Sequence, residues 1–311
     1  MRYYKIVVGD KTFTSYAGGK NIPGALNVVL DIPVFPFAQP SGAAWAQIWG
    51  ISIQDIGQAS DLNGKDVSIY GGFQKGLPLA NPSQAGLLVK GKVFQAFGNW
   101  IDTRQTIDLI IYPDTGTNDA PKNIVLNWKK GTKFADALNQ TLTTAFPDFS
   151  VDVKVSDNLV IPADEVGYYS TLTQFAQYAK AVSKEIIGGT EYAGVDIMVA
   201  EDSISVYDGT SPTDPMQIAF QDMIGQPTWI DPLSVQVKLA MRADLQVGDY
   251  IKFPPSIVTT SSGTTSPFVD AKSTFQGVFQ VGQVRHVGNF RQPNADSWVT
   301  VVNAYSAQAA K

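Results

Sequence analysis

Apolar and polar residues alternate along most of this chain, in short runs bounded by Gly, Pro, Asn and Asp. A period of two marks half-buried β-strands. The plainest case is Gly86-Leu-Leu-Val-Lys-Gly-Lys-Val-Phe-Gln-Ala-Phe-Gly-Asn-Trp100, followed by Gln105-Thr-Ile-Asp-Leu-Ile-Ile-Tyr-Pro113. These read as two neighbouring strands. Tyr4–Val8 and Thr12–Tyr16 flank a hairpin turn at Gly9-Asp10-Lys11. A strand over Ala25–Ile32 is expected to stop at Pro33. The Ala-rich stretch Ser41–Trp49 accommodates a helical turn. Asp55–Lys65 reads as a polar loop, and Asn63-Gly64 turns it into a strand over Asp66–Tyr70. Gly71–Pro82 reads as a long Gly/Pro-rich loop.

The pattern changes after Asp114–Lys122, a polar linker. Phe134, Leu138 and Leu142 form one apolar stripe, which predicts a helix over Thr132–Phe146, ended by Pro147. Val151–Val155 alternates as a strand. Thr171–Ile187 is the strongest helix. Thr171 with Gln174 fits a capping box, and Gly188-Gly189 supply the stop. Leu172, Phe175, Ala176, Ala179, Val182 and Ile186 form its buried face. From Ala200 the strand period returns at Ser203–Tyr207, Met216–Phe220, Ser234–Met241, Tyr250–Phe253, Gln276–Val287 and Ser297–Tyr305. Thr259–Ser266 reads as a Ser/Thr/Gly loop, and Ala307–Lys311 as a tail. No internal repeat is visible in the sequence. The expected fold class is α+β, mainly β: β-rich parts at 1–115 and 200–311, with a small two-helix α/β module at 116–199.

A length of 311 residues allows two to four modules. Charged residues make up 16%, below the usual value of about 25%. Two readings account for this: surface covered by partner subunits, or neutral polar residues keeping the chain soluble. There is no Cys, which excludes disulfides, thiolate catalysis and Cys-based zinc sites. The N-terminus reads as a strand and not a signal peptide. No window reaches the roughly 20 apolar residues that span a bilayer. Net charge is −5 and the basic residues are scattered, so tight DNA binding is not expected.

Candidate chemistry is sparse. His286 is the single histidine and lies within a predicted strand, so a role in the sheet is favoured over that of base or metal ligand. Asp164-Glu165, Glu201-Asp202 and Asp244 with Asp249 are carboxylate pairs that could serve a glycosidase, but turn and cap positions explain them better. Asp55, Asp61, Asn63 and Asp66 lack the ordered spacing of a calcium loop. Ser83 and Ser262 lack a nucleophile-elbow context, and no phosphate or dinucleotide loop is present. No catalytic, cofactor-binding or metal-ligating residue is nominated, and the chain is not expected to be an enzyme. Six tryptophans remain. Most suit core packing, while Trp229, in a Pro-bounded loop, and Trp100 are the candidates for subunit contacts.

Three stretches together resemble the baseplate hub proteins of contractile-tailed bacteriophages. They are Leu77-Pro-Leu-Ala80 with Val93-Phe-Gln-Ala-Phe-Gly-Asn-Trp100; Tyr169-Ser-Thr-Leu-Thr-Gln-Phe-Ala-Gln-Tyr178; and Phe220-Gln-Asp-Met-Ile-Gly-Gln-Pro-Thr-Trp229 with Leu245-Gln-Val-Gly-Asp-Tyr-Ile251. The likeness covers most of the chain. It implies two tail-tube-like β-barrel modules per chain, with strands open to exchange between segments. Three copies would then form a pseudo-sixfold homotrimeric ring between a tail spike protein and a tail tube or tube-initiator protein. DNA would pass through the ring without being tightly bound, and the acidic balance suits such a bore. The expected location is the virion tail baseplate, assembled in the host cytoplasm. No lysozyme-like part follows Tyr305, so wall digestion is expected of another protein. The alternative is a carbohydrate- or receptor-binding β-protein of a phage tail, suggested by the aromatics and the Thr259–Ser266 loop.

Overall fold

The computed structural model describes residues 1–37, 42–74, 81–113, 123–188, 192–200, 203–210, 214–231, 234–254, 275 and 277–306. The linker 114–122, the loop 259–266, Glu201-Asp202, Ser262, Gly189, Leu77–Ala80 and the tail 307–311 lie outside these residues. The N-terminal part contains β1 (Arg2–Val8), β2 (Lys11–Thr14), β3 (Tyr16–Ala17), β4 (Lys20–Asn21), β5 (Asn27–Val34), β6 (Ala44–Trp49), α1 (Ile53–Gly57), β7 (Asp66–Phe73), β8 (Gly86–Ile101) and β9 (Arg104–Pro113). The middle holds β10 (Ile124–Trp128), α2 (Phe134–Ala145), β11 (Ser150–Lys154), β12 (Glu165–Tyr169), α3 (Leu172–Ile187), β13 (Asp196–Ala200) and β14 (Ser203–Tyr207). The C-terminal part holds β15 (Met216–Gln217), β16 (Thr228–Asp231), β17 (Ser234–Ala240), β18 (Tyr250–Lys252), β19 (Phe279–Asn289) and β20 (Trp298–Ser306). The chain is mainly β.

Several local expectations change. Ser41–Trp49 is no helix where described: Ala44, Ala46 and Ile48 are buried and alternate with half-exposed Trp45, Gln47 and Trp49. Strand pairing on both sides of β6 overrides the helix propensity of Ala. Pro33 does not stop β5. It faces Arg285 of β19, and pairing with β6 has already ended at Asp31 and Trp45. One side of β5 is therefore an edge there, where proline is tolerated. Asp55–Lys65 is not all loop. Ser52 caps α1 by accepting the Asp55 N–H at 3.1 Å, and a 3-10 turn covers Ala59–Leu62. Gly71 and Gly72 lie inside β7, because a Cβ on Gly71 would sit 2.6 Å from Leu88 and one on Gly72 2.6 Å from Ala85. Met216–Phe220 is a two-residue strand and then a 3-10 turn.

The helices form as expected. Phe134, Leu138 and Leu142 of α2 are buried, as are Leu172, Phe175, Ala176 and Ala179 of α3. Thr171 accepts the Gln174 N–H at 3.2 Å, and Gly188 ends α3 in the left-handed region. The Gln174 side chain does not return to Thr171; its Oε1 accepts from the Ser170 hydroxyl. The helices, the β10–β12 ribbon and the sheet β11–β14–β13 enclose one core around Trp128, whose Nε1–H donates to Thr141 at 2.9 Å. The 199/200 limit expected from the sequence falls inside β13, which is paired with β14.

The two β-rich parts share one 13-stranded sheet, ordered β16-β17-β20-β19-β5-β6-β9-β8-β7-β1-β2, with β18 beside β19 and β15 beside β18. A repeat absent from the sequence is plain in this order. The first part runs β5-β6-β9-β8-β7, and the second runs β16-β17-β20-β19-β18. The same chain order gives the same spatial order, and every neighbouring pair is antiparallel. The central ladders even share an irregularity: a β-bulge follows Val93 in β8 and Val281 in β19. At each bulge a glycine with positive φ donates to that valine's carbonyl at 2.7 Å, Gly64 in one repeat and Gly248 in the other. Each repeat keeps its own apolar core.

Candidate functional site

The bulges align the two repeats residue by residue. Val93 matches Val281, Ala96 matches Val284, Gly98 matches His286 and Trp100 matches Gly288. Carried across the ladders, Ile48 matches Leu239, and Tyr112 matches Tyr305. On β5 and β16, Asp31 matches Thr228 and Ile32 matches Trp229.

In the second repeat the outer edge of β19 is filled. β18 takes Phe279 and Gln280, and beyond the bulge β5 pairs along Val284–Asn289. Arg285 grips Asp31 across this joint through two hydrogen bonds, Nε–Oδ1 at 2.7 Å and Nη2–Oδ2 at 2.5 Å. The Asp31 partner holds the guanidinium pKa above its usual value. Arg2 adds bonds to the carbonyls of Asn289 and Asn294, both at 2.9 Å. His286 is thereby buried.

In the first repeat the same edge is bare. β7 takes Gly86–Lys92, and the Ala96 N–H then donates to Asn63 Oδ1 at 2.7 Å. Backbone groups alternate in direction along a strand, so those of Gly98 and Trp100 point outward as that of Ala96 does. No strand pairs with them among the described residues. The side chains here are apolar: Phe97, Trp100 and Ile101 are 42%, 62% and 60% exposed. Phe94 packs against Tyr112 with ring centroids 4.6 Å apart and the rings tilted by 31°. Two strands end the sheet among the described residues, β2 and β16, and β16 exposes Ile230.

Of the two tryptophans singled out from sequence, Trp100 lies at the tip of the bare hairpin, its Nε1–H donating to the Asp102 carbonyl at 2.8 Å. Trp229 is not in a loop. It sits in edge strand β16, half-buried, stacked on Phe275 at 5.5 Å, with its Nε1 buried and unpartnered among the described residues. The structure thus places Trp100 beside the bare stretch of β8 and Trp229 in the terminal strand β16. Sequence reasoning missed Phe97 and Ile230, because an apolar residue in a strand reads as core.

The carboxylates fill structural roles. Asp244 accepts two bonds from Arg242 at 2.7 Å, and Asp249 accepts the Gln246 N–H at 2.7 Å. Asp164 accepts the Lys130 N–H and the Lys129 ammonium, which hold its pKa low. Asn63 accepts the Ala96 N–H and so serves the β8 edge. His286 is buried with Nδ1 2.9 Å from Thr300 Oγ1, and burial pushes its pKa down to about 4. It is thus buried in the sheet and not on its surface. No helix among the described residues is long and apolar enough to cross a membrane. A cavity of about 470 Å³ lies where the three cores meet, lined by residues such as Phe35, Leu87, Met198 and Leu245.

No family model and no curated protein matches this sequence. Solved structures do match. A tail protein from Neisseria meningitidis MC58 aligns at TM-score 0.51 and 11% identity, over 98% of this chain and 96% of its own. The 43 kDa tail protein of prophage MuSo2 from Shewanella oneidensis aligns at TM-score 0.51 and 7% identity, over 99% of this chain and 100% of its own. At such identities the likeness establishes a common fold, and it does so along the full length of all three chains.

Proposed function

We propose that this chain is a structural hub of a contractile phage tail baseplate, working without catalysis. Three copies close into a ring that presents six similar strand repeats. The ring joins a trimeric spike below to a hexameric tube above and leaves a path for DNA. The observation that carries this reading is the repeated strand order with one edge filled and its counterpart open. A chain with two similar units and heterologous free edges assembles into rings or filaments. Three such chains match threefold and sixfold partners at once. Closing the ring also covers sheet edges that would invite aggregation. The fold shared with two tail proteins supports the same reading. On it, the repeats are the tube-like modules and the α/β unit decorates the rim.

The test is to mix the purified protein with its candidate spike and tube proteins and image the product. The expected result is a threefold ring bound between the two. A monomer that binds glycans and neither protein would replace this reading with that of a receptor-binding tail component.

A further inference from the structure

We infer that β16 of one copy pairs with the Gly98–Ile101 edge of β8 of a second copy, reproducing between chains the β5–β19 joint found within one. This rests on the ring reading above and names its seam. The internal joint supplies the register. In it His286 faces Ile32, Val287 faces Asp31 and Arg285 faces Pro33. Their counterparts place Gly98 opposite Trp229 of the second copy and Asn99 opposite Thr228, which brings Phe97 to Ile230, the residue at the β16 bulge.

Three observations support this seam over any other occupant. The open stretch of β8 lies past the same bulge and matches the part of β19 that β5 covers from His286 on, the position before it being taken by Asn63 on Ala96. β16 is the counterpart of β5, and among the described residues no strand pairs with its outer side. The chemistry also matches: the intrachain joint is closed by Arg285 and Asp31, whereas the open edges offer Phe97 to Ile230, both exposed and apolar. Gly98 has no side chain to obstruct the incoming Trp229, and α1 already backs it, since a Cβ there would lie 2.4 Å from the Ile56 carbonyl oxygen.

The chain has no Cys, so engineered pairs report cleanly. Asn99 and Thr228 would sit at a site where strands approach closely and a disulfide fits. The double variant Asn99→Cys/Thr228→Cys is oxidised and run without reductant, beside each single variant. The pair Asp31→Cys/Val287→Cys, at the matching internal site, serves as reference and should close within one chain. The expected result is covalent dimers and trimers in the double variant, ending at trimer and absent from the reference. Native trimers lacking this bond would overturn the seam and leave the ring standing. A ladder running past trimer would keep the seam and remove the ring. Monomers at every concentration, with no bond, would remove both.

Discussion

The hairpins β8–β9 and β19–β20 are built on one plan and live in different surroundings. Both carry a bulge after a valine, and both cover the bulge residue with a tyrosine: Tyr112 on Phe94, and Tyr305 against Gly282. Beyond that point β19 is sheathed by β5, and His286 is buried. β8 runs on into solvent with Phe97, Trp100 and Ile101 uncovered. The difference shows which residues serve the repeat and which serve the joint. Val93 and Ala96 pack the first core, and Val281 and Val284 the second. Outward-facing residues past the bulge match whatever strand lies alongside: a charged pair where the joint is built into the chain, apolar groups where it is open. Contiguous exposed apolar surface on a folded chain marks an interaction site.

The comparison breaks most visibly at the tryptophans. Trp298 begins β20 yet packs in the core of the first repeat, with its Nε1–H donating to the Gly72 carbonyl at 2.9 Å. It pins the repeats together. Trp298→Ala should cost about 3–5 kcal/mol in urea unfolding, whereas Trp100→Ala should stay within about 0.5 kcal/mol. Equal losses would mean that the two hairpins are not in different environments.

His286 adds a pH signature that its counterpart Gly98 cannot have. Its pKa falls from an ordinary 6.5 to about 4 through burial. Below pH 6.5 the unfolded chain takes a proton that the folded chain refuses. Stability is therefore full above about 6.5 and falls as pH drops toward 4, by about 3 kcal/mol in total. Unfolding free energies at pH 7 and 4.5 should differ by about 2–3 kcal/mol more in the native chain than in His286→Leu. Parallel losses in the two proteins would refute a neutral buried imidazole.

The bulge glycines offer a finer contrast. Gly64 has φ +75 with open space around it, while a Cβ on Gly248, φ +98, would meet the Tyr207 ring at 2.5 Å. Gly64→Ala should cost about 1–2 kcal/mol for its left-handed backbone. Gly248→Ala should cost a further 1–3 kcal/mol, roughly, for the crowding. Thermal melts that rank them the other way would mean that the turns are not equivalent.

The strands and both helices were legible because a period of two or of 3.6 needs no partner to be read. The repeat was not. Its matched positions share apolar character more than identity: Ala44, Ala46 and Ile48 against Val235, Val237 and Leu239, all buried. Alternation of that kind is common to every strand, so it cannot mark two strands as counterparts. The surviving echo is Asp61-Leu62 before Gly64 and Asp244-Leu245 before Gly248, offset by one inserted residue. The candidate site was half legible. Trp100 and Trp229 stand out as large aromatics near turns, but which edges are open depends on pairing between β5 and β19, more than 240 residues apart in the chain. No local pattern encodes that.

The smallest effect on stability should accompany the most specific effect on assembly. Phe97→Arg places at the bare edge the residue type its counterpart Arg285 supplies inside the joint. Phe97 is 42% exposed, so folding should change by no more than about 0.5 kcal/mol. Self-association should weaken about 10- to 100-fold, because the guanidinium would face Ile230 of a second copy without a carboxylate. In the internal joint that carboxylate is Asp31, whose counterpart is Thr228. Adding Thr228→Asp to Phe97→Arg should therefore restore much of the association, now as a salt-sensitive pair. Sedimentation of the native chain, the single variant and the double variant reads this directly. A double variant as weak as the single one would put Thr228 out of reach of position 97 and shift the seam out of the register of the β5–β19 joint.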